Sequence, residues 1–177
     1  EKPKTPISKR ANIGLYYIKN WKLLFEGVEH TLKQPKNQGE YFLTDAFQYM
    51  IDKGAKIRVI DVEGWYDAGK IETMLETNEA MLARGRARRP KSVGDSTIID
   101  PVYIEDNVTL KKSKVGPNVS IGAGSVLEGA EVSHSIIGLR ATIRKSVLKN
   151  SLVGDDAIVE GVKGEVTVGD HSEVRAS

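Results

Sequence analysis

The sequence predicts two unlike regions, a mixed α/β region over residues 1–85 and an all-β region of short parallel strands over residues 97–177. Two observations predict this division. Ten of the eleven aromatic residues lie at or before Tyr66, whereas ten of the 17 glycines follow residue 92. Beyond residue 97 the sequence consists of short Val/Ile steps punctuated by Gly, Ser, Asp and Asn. Between the regions, Gly85 and Pro90 are residues that end a helix, so residues 86–96 are predicted to be a linker.

Composition and charge exclude several classes of protein. The chain has 177 residues, a formal net charge of +2 and no cysteine, which excludes disulfide scaffolds, thiolate zinc sites and cysteine nucleophiles. No apolar run approaches the ~18–20 residues of a transmembrane helix. The basic run at residues 84–91 follows a helix and carries no interleaved aromatic residues, so we interpret it as a solvated helix end rather than a nucleic-acid site. We therefore expect a cytoplasmic protein without nucleic-acid or membrane partners.

The first region alternates predicted strands and helices. Residues 11–18 are rich in aromatic and aliphatic side chains and predict a strand, and apolar positions 21, 24, 25, 28 and 32 predict a helix. Thr44 is the predicted N-cap of a second helix, with Asp45 in its first turn, running to Lys53 and stopping at Gly54. Residues 56–62 alternate and predict a second strand. One apolar face over residues 71–82 predicts a last helix that ends at Gly85.

The second region is a repeat. Aliphatic residues recur at steps of six or five, at Ile98, Ile104, Leu110, Val115, Ile121, Leu127, Val132, Ile137, Ile143, Leu148, Val153 and Val159. A helix would need steps of three and four, and a hairpin sheet would need sustained alternation. Steps of six instead predict short parallel strands joined by tight turns, with three strands closing one coil and coils stacked ~4.8 Å apart.

This pattern resembles the hexapeptide-repeat family of left-handed parallel β-helices. Grouping the steps by threes places the starts of successive coils at Ile98, Val115, Val132 and Leu148. We expect residues 166–174 to cap the open end. Some members of that family are acyltransferases with a catalytic histidine near the coil surface, and His134 is the candidate here. We favour the alternative that His134 is an exposed turn residue, because no second motif for coenzyme A is evident.

Four short motifs occur in order along the first region: Glu1–Pro3, Ala11–Tyr16, Gly39–Ala46 and Trp65–Gly69. Followed by a helix and a hexapeptide β-helix, they resemble the sugar-1-phosphate nucleotidyltransferases, and most closely the long form of glucose-1-phosphate thymidylyltransferase. ADP-glucose and GDP-mannose pyrophosphorylases share this architecture and are close alternatives. The resemblance implies a partial Rossmann-like nucleotidyltransferase domain, Mg²⁺ as cofactor, and a nucleoside triphosphate and a sugar 1-phosphate as substrates.

The resemblance also implies site residues. Asp67, within Trp65–Gly69, would be a ligand of Mg²⁺; the alternative is that it caps the helix that follows. Glu1 would accept hydrogen bonds from sugar hydroxyls and Lys2 would contact the sugar phosphate; the alternative is that both belong to a solvated terminus. Gly14 would allow a close backbone approach to the ligand, and Tyr16 would line the sugar pocket. Thr44 and Asp45 are interpreted as structural.

One element of that family is absent from the sequence. No glycine-rich segment with the spacing of a phosphate-binding loop occurs, and the family places that loop and a second metal-binding aspartate in its first half. We therefore expect this chain to be a fragment that is inactive alone, and we expect its β-helix to mediate homo-oligomer assembly or regulation. Two alternatives remain open: a non-catalytic regulatory subunit, and a bifunctional enzyme whose β-helix also transfers acetyl groups.

Overall fold

The computed structural model describes residues 8–37, 39–90 and 92–176. The chain divides into two compact units, Glu1–Trp65 and Tyr66–Ser177. The helix over residues 71–81 therefore belongs to the same compact unit as the repeats. The longest helix among the described residues has 12 residues, and none there combines the length and hydropathy needed to cross a bilayer.

Two helices form the centre of the first unit, α1 (Trp21–Leu32) and α2 (Leu43–Asp52). The side chain of Asn20 caps α1 by accepting the backbone N–H of Leu23 at 3.3 Å. Helix α2 begins one residue before the expected Thr44 cap, because the extended residue at its N-cap position is Phe42 and Thr44 already lies inside the helix. The prediction of Thr44 as N-cap is therefore wrong, whereas the stop at Gly54, which has φ of +86°, is confirmed.

The two helices pack closely through small residues. A Cβ atom added to Gly27 would lie 2.8 Å from the backbone oxygen of Ala46, so only glycine permits this separation of α1 and α2. Ala46 and Met50 on α2 are buried against this contact. The buried hydroxyl of Thr31 donates to the carbonyl oxygen of Gly27 at 2.8 Å, which satisfies the polar group inside the contact.

The two predicted strands of the first unit, residues 11–18 and 56–62, are not strands in the structure. Apart from one bridge between Asn37 and Glu40, the described residues of this unit form no β-pairing. Both segments expose apolar side chains, with Leu15 80% and Ile60 85% exposed. A strand needs a neighbouring strand to accept its backbone hydrogen bonds, and the pattern of a segment does not supply that neighbour. The prediction of strands here is wrong, and the Rossmann-like arrangement is not confirmed.

In the second unit, α3 (Ile71–Met81) continues into a single π-helical turn, Leu82–Arg86. The turn ends through Gly85, whose φ of +84° breaks the helix at the predicted position. Leu82 is the residue of this segment that is most buried, at 4% exposure.

Fifteen short strands follow and wind into five coils of three strands. In chain order they are β1 (Thr97–Ile98), β2 (Val102–Ile104) and β3 (Thr109–Lys111); β4 (Lys114–Val115), β5 (Val119–Ile121) and β6 (Val126–Glu128); β7 (Glu131–Ser133), β8 (Ser135–Ile137) and β9 (Thr142–Arg144); β10 (Val147–Lys149), β11 (Leu152–Val153) and β12 (Ile158–Glu160); β13 (Lys163–Gly164), β14 (Thr167–Val168) and β15 (Glu173–Arg175). Corresponding strands of successive coils pair in parallel, which gives three five-stranded sheets.

The pairing register confirms the predicted repeat. Ile98 pairs with Val115, Val115 with Val132, and Val132 with Leu148, so the four predicted coil starts lie in one sheet. The twelve aliphatic positions point inward and form the core, in which eleven of them are buried and Ile98 is partly buried. The expected parallel β-helix is thus present. Residues 166–174, expected to act as a cap, supply the last two strands of a fifth coil, which pair with β11 and β12.

Buried serines also recur from coil to coil, and their hydroxyls bond the backbone groups of the turns. The hydroxyl of Ser135 donates to the carbonyl of Ser133 at 2.6 Å and accepts the N–H of Ser151, one coil later, at 3.0 Å. Ser113 and Ser146 make the same pair of contacts at another corner. Each hydroxyl therefore satisfies two turns at once, and no described buried side-chain polar atom is left without a partner.

Ion pairs lie on the outside of the β-helix corners. Arg140 donates to both carboxylate oxygens of Asp156 at 2.7 and 2.6 Å. These hydrogen bonds, reinforced by the guanidinium charge, hold the pKa of Asp156 below its ordinary value. Arg89 lowers the pKa of Asp100 in the same way.

A polar clamp joins α3 to the β-helix. The Nδ2 atom of Asn78 donates to the backbone oxygen of Asn118 at 3.2 Å, and its Oδ1 accepts the hydroxyl of Ser120 on β5. The sequence predicts only a helix with an apolar face over residues 71–82, a range that includes Asn78. The helix is therefore positioned on the β-helix by directional contacts as well as by apolar packing.

Candidate functional site

The segment around residues 12–16 folds about one asparagine side chain. The Oδ1 atom of Asn12 accepts the backbone N–H of Gly14 at 2.9 Å, and its Nδ2 donates to the hydroxyl of Tyr16. An asparagine that hydrogen-bonds the backbone two residues later closes an Asx turn. Two predicted sugar-pocket residues, Gly14 and Tyr16, are therefore held together through a third residue, Asn12.

Open surface lies beside this turn. Gly14 has φ of +80°, the left-handed region that favours glycine, and no described atom beyond its chain neighbours lies within 4 Å of where a Cβ would be. The ring of Tyr16 meets the ring of Phe47 on α2 edge-on, with centroids 4.8 Å apart. Because Tyr16 stays 42% exposed, the turn can offer an aromatic ring and a free backbone to a polar ligand.

Asp67 lies in the second unit, in the loop that precedes α3, and its side chain is half-buried. Its Oδ1 atom accepts the backbone N–H of Gly69 at 3.0 Å, which closes a second Asx turn. Lys70 occupies the N-cap position of α3, and its backbone N–H donates to the hydroxyl oxygen of Thr73. Asp67 therefore does not cap the helix. No described group donates to its Oδ2 atom, which stays available to a ligand.

The loop that carries Asp67 is anchored on both sides. The hydroxyl of Thr77, the seventh residue of α3, donates to the backbone oxygen of Asp67 at 2.8 Å. The guanidinium of Arg84 lies 4.9 Å from the ring centroid of Tyr66, a cation–π contact. These contacts fix the backbone on which the carboxylate is carried, and a fixed carboxylate suits a metal ligand better than a mobile one.

Two predicted site residues, Glu1 and Lys2, lie outside the described residues. Within the described part of the chain no three His, Asp or Glu side chains converge as a metal site. Asp67 is therefore a single carboxylate, a donor set that suits Mg²⁺ only where phosphate oxygens and other groups complete the coordination. Gly14 and Tyr16 belong to the first unit and Asp67 to the second.

His134 lies on a corner of the β-helix, in a left-handed conformation with φ of +47°. Its Nδ1 atom is 3.4 Å from Nδ2 of the buried Asn118, and its ring borders a groove of about 300 Å³ between this corner and α3. The opposite wall carries Glu76 and Glu79. His134 is thus a half-buried corner residue rather than the exposed turn residue we favoured.

Comparison with known proteins finds similar nucleotidyl transferases. The model described as "Nucleotidyl transferase" matches residues 1–84. The chain is 30% identical to the low-salt glycan biosynthesis nucleotidyltransferase Agl11 of Haloferax volcanii, over 99% of this chain and 56% of that protein. It is 31% identical to the glucose-1-phosphate thymidylyltransferase of Streptomyces griseus, over 100% of this chain and 56% of that protein. It is 29% identical to a glucose-1-phosphate adenylyltransferase of Bacillus cereus, over 92% and 42%.

The chain is similar to nucleotidyl transferases over nearly its whole length. The relatives match both its first region and its β-helix, because the alignments cover almost all of the chain. The chain spans about half the length of these relatives. The resemblance inferred from the four motifs and the hexapeptide repeat is confirmed, and the Asn12 turn and the Asp67 loop both lie within the residues that the family model matches.

Three residues that shape the site were missed in the sequence. Asn12 stands two residues before Gly14, and an asparagine at that spacing from a glycine is a recognisable Asx-turn signal. Thr77 and Arg84 carry no such signal, because their partners are ten and eighteen residues away along the chain. Only the folded arrangement shows that they hold the Asp67 loop.

Proposed function

We propose that this chain is part of an enzyme that transfers a nucleotidyl group from a nucleoside triphosphate to a sugar 1-phosphate, releasing pyrophosphate. The preferred substrates are thymidine triphosphate and glucose 1-phosphate. The observation that carries the proposal is the anchored Asp67 loop, with its free Oδ2 atom, in a chain whose relatives are sugar-phosphate nucleotidyltransferases. The match to about half of each relative supports a role within a longer enzyme that completes the Rossmann-like domain.

In the proposed reaction a phosphate oxygen of the sugar 1-phosphate attacks the α-phosphorus. The bond between that phosphorus and the bridging oxygen to the β-phosphorus breaks, and the electron pair leaves with pyrophosphate. Such transfers depend mainly on positioning and charge neutralisation. Mg²⁺, when bound, would neutralise charge on the phosphates, and Asp67 is the described residue that would hold it.

The turn at Asn12 positions the acceptor in this proposal. Gly14 leaves room for the sugar to approach the backbone, and Tyr16 forms one wall of the pocket with its hydroxyl oriented by Asn12. Glu1 would accept sugar hydroxyls and Lys2 would contact the phosphate as a point charge. The left-handed backbone of Gly14 supports this assignment, because residues with a side chain disfavour that conformation and glycine leaves the backbone accessible.

The full-length enzyme that contains this chain tests the proposal. With thymidine triphosphate, glucose 1-phosphate and Mg²⁺, pyrophosphate release should fall at least about 100-fold in Asp67→Asn. Asp61→Asn, which removes an exposed carboxylate paired with Arg10, is the matched control and should keep wild-type activity. An Asp67→Asn enzyme with undiminished turnover would contradict the role of Asp67.

The same assay distinguishes the alternatives. A wild-type enzyme inactive with every nucleoside triphosphate and sugar 1-phosphate would favour a regulatory or assembly subunit. Acetyl transfer from acetyl-CoA that His134→Ala abolishes would favour a bifunctional enzyme. The chain alone should not bind thymidine triphosphate with Mg²⁺ at micromolar concentration, because it contains no phosphate-binding loop.

A further inference from the structure

Helix α3 contacts the Asp67 loop and the β-helix through two consecutive residues. The hydroxyl of Thr77 donates to the backbone oxygen of Asp67 at 2.8 Å. The Nδ2 atom of Asn78 donates to the backbone oxygen of Asn118 at 3.2 Å, and its Oδ1 atom accepts the hydroxyl of Ser120 on β5. Consecutive residues of a helix point about 100° apart. The helix therefore bonds the loop on one side and the β-helix on an adjacent side.

The hydroxyl of Thr77 is directed away from its own helix. A threonine inside a helix commonly donates to the backbone oxygen three or four residues earlier. Thr31 on α1 does this, because its hydroxyl donates to the oxygen of Gly27 at 2.8 Å. Thr77 instead donates to an oxygen ten residues earlier, in a loop outside the helix. That oxygen belongs to Asp67 itself, so the bond fixes the peptide group next to the carboxylate.

Two further contacts restrict the Asp67 loop. The guanidinium of Arg84 lies 4.9 Å from the ring centroid of Tyr66, and the N–H of Gly69 donates to Oδ1 of Asp67 at 3.0 Å. The loop is therefore held by the helical segment at two points and by its own turn. The loop, α3 and the β-helix all belong to the compact unit Tyr66–Ser177. The carboxylate of Asp67 is thus carried by the same unit as the β-helix.

We propose that the β-helix acts through α3 as the support of the metal-binding carboxylate, with Thr77 and Asn78 as positioning residues. Asp67 is a ligand of Mg²⁺ under the proposed function, on which this inference rests. Groups that orient a metal ligand typically contribute about 10–100-fold to metal affinity. Three five-stranded sheets around a buried aliphatic core give α3 a firmer base than a surface loop alone provides.

Hydrogen exchange on the full-length enzyme, without metal or substrates, tests the anchoring directly. Thr77→Val keeps the shape of the side chain but removes the donor, so amide exchange over residues 66–70 should become about 3–10-fold faster. Thr77→Ser keeps the donor and should exchange near the wild-type rate. Ser120→Ala removes one bond between the β-helix and Asn78 and should also accelerate exchange over residues 66–70. Thr31→Val is the matched change in α1 and should leave that exchange unchanged.

Steady-state kinetics of the full-length enzyme give a second readout. The KM for Mg²⁺ should rise about ten-fold in Thr77→Val and by a smaller factor in Ser120→Ala, while kcat at saturating Mg²⁺ stays near the wild-type value. Thr77→Ser should restore the KM. A general loss of stability would instead lower the amount of active enzyme, and with it the apparent kcat, without changing the KM.

Three results would overturn the inference: Thr77→Val leaves exchange over residues 66–70 at the wild-type rate, Thr77→Ser fails to restore that rate, or Thr31→Val accelerates it equally. An effect of Thr77→Val that Ser120→Ala does not share would also overturn it, because α3 alone would then hold the loop. Failure of the proposed function has a different signature, since Asp67→Asn would then keep wild-type turnover whatever the exchange rates are.

Discussion

Replacing Gly138 by alanine should destabilise the β-helix strongly, although this glycine does not have a positive φ. A Cβ atom at Gly138 would lie 2.5 Å from Oδ1 of Asp155 and 2.7 Å from the carbonyl carbon of Gly154, both in the next coil. Non-bonded carbon atoms settle at about 3.5–4.0 Å, so the two coils would have to separate locally by about 1 Å. The same arrangement recurs at Gly122 and Gly154, which makes it a property of this corner.

The hydrogen bonds at this corner oppose that separation. The N–H of Gly138 donates to Val153 at 2.8 Å, and the N–H of Leu139 donates to Oδ1 of Asp155 at 2.8 Å. A shift of about 1 Å would take both beyond hydrogen-bond range. Overpacking costs about 1–3 kcal/mol, and each lost bond adds about 1 kcal/mol. We expect the free energy of unfolding to fall by about 3–5 kcal/mol, which corresponds to about 6–20 °C in Tm.

Urea and thermal unfolding followed by far-ultraviolet circular dichroism measure this effect on the full chain. The matched control is Gly129→Asn at another corner, where φ is +60° and no atom lies within 4 Å of an added Cβ. Asparagine tolerates the left-handed conformation, as Asn150 does at φ of +51°, so this variant should lose less than about 1 kcal/mol. Equal destabilisation by the two substitutions would refute the close-approach explanation.

Three further substitutions test other contacts. Gly27→Ala should lower the free energy of unfolding by about 1–2 kcal/mol, because the added Cβ atom would meet Ala46. This cost should exceed the gain from the better helix propensity of alanine. A variant that is stabilised in fluorescence-detected unfolding would contradict this. Asn78→Ala should lower the free energy of unfolding by about 1–3 kcal/mol, because two hydrogen bonds to the β-helix are lost. The control Glu79→Ala, on the same helix, should lower it by less than about 0.5 kcal/mol in the same assay. The pKa of Asp156 is lower in the folded chain than in the unfolded chain, where it is near 3.9. Asp156 therefore stabilises the fold above that pH, and this stabilisation is lost as the pH falls through the pKa of the folded chain. The urea midpoint of Asp156→Asn should decline less than that of wild type between pH 7 and about pH 3.

The β-helix was predictable from sequence because its core is a strict repeat. A residue such as Ile121 occupies the same environment as Ile104 and Ile137 one coil away, so the spacing of aliphatic residues alone gives the register. The close-approach role of Gly138 was not predictable, because it depends on the distance to the next coil rather than on a backbone angle. The sequence itself shows only that a glycine follows the aliphatic residue at Ile121, Ile137 and Val153.

The first unit was less predictable because its strands depend on partners elsewhere. The apolar pattern around Leu15 and Ile60 indicates an extended segment, but pairing requires a second strand at the right place. The start of α2 was missed by two residues, because threonine is a good N-cap by residue type, whereas the observed N-cap is Phe42. Gly14 and Asp67 were found through motifs, while the residues that orient them are visible only in the fold.

The buried serines and aliphatic residues recur at the same place in successive coils, so the length of the β-helix can change only by whole coils. Successive coils repeat every 15 to 17 residues, as the pairs Leu152–Thr167, Val132–Leu148 and Val115–Val132 show. Each coil advances the chain by ~4.8 Å and returns it to the same angular position. Inserting or deleting one whole coil would therefore move the last coil along the axis in fixed increments while preserving every remaining contact. Length changes tolerated among related β-helices should come in such whole units, and a shift of a few residues should instead disrupt all three sheets at once.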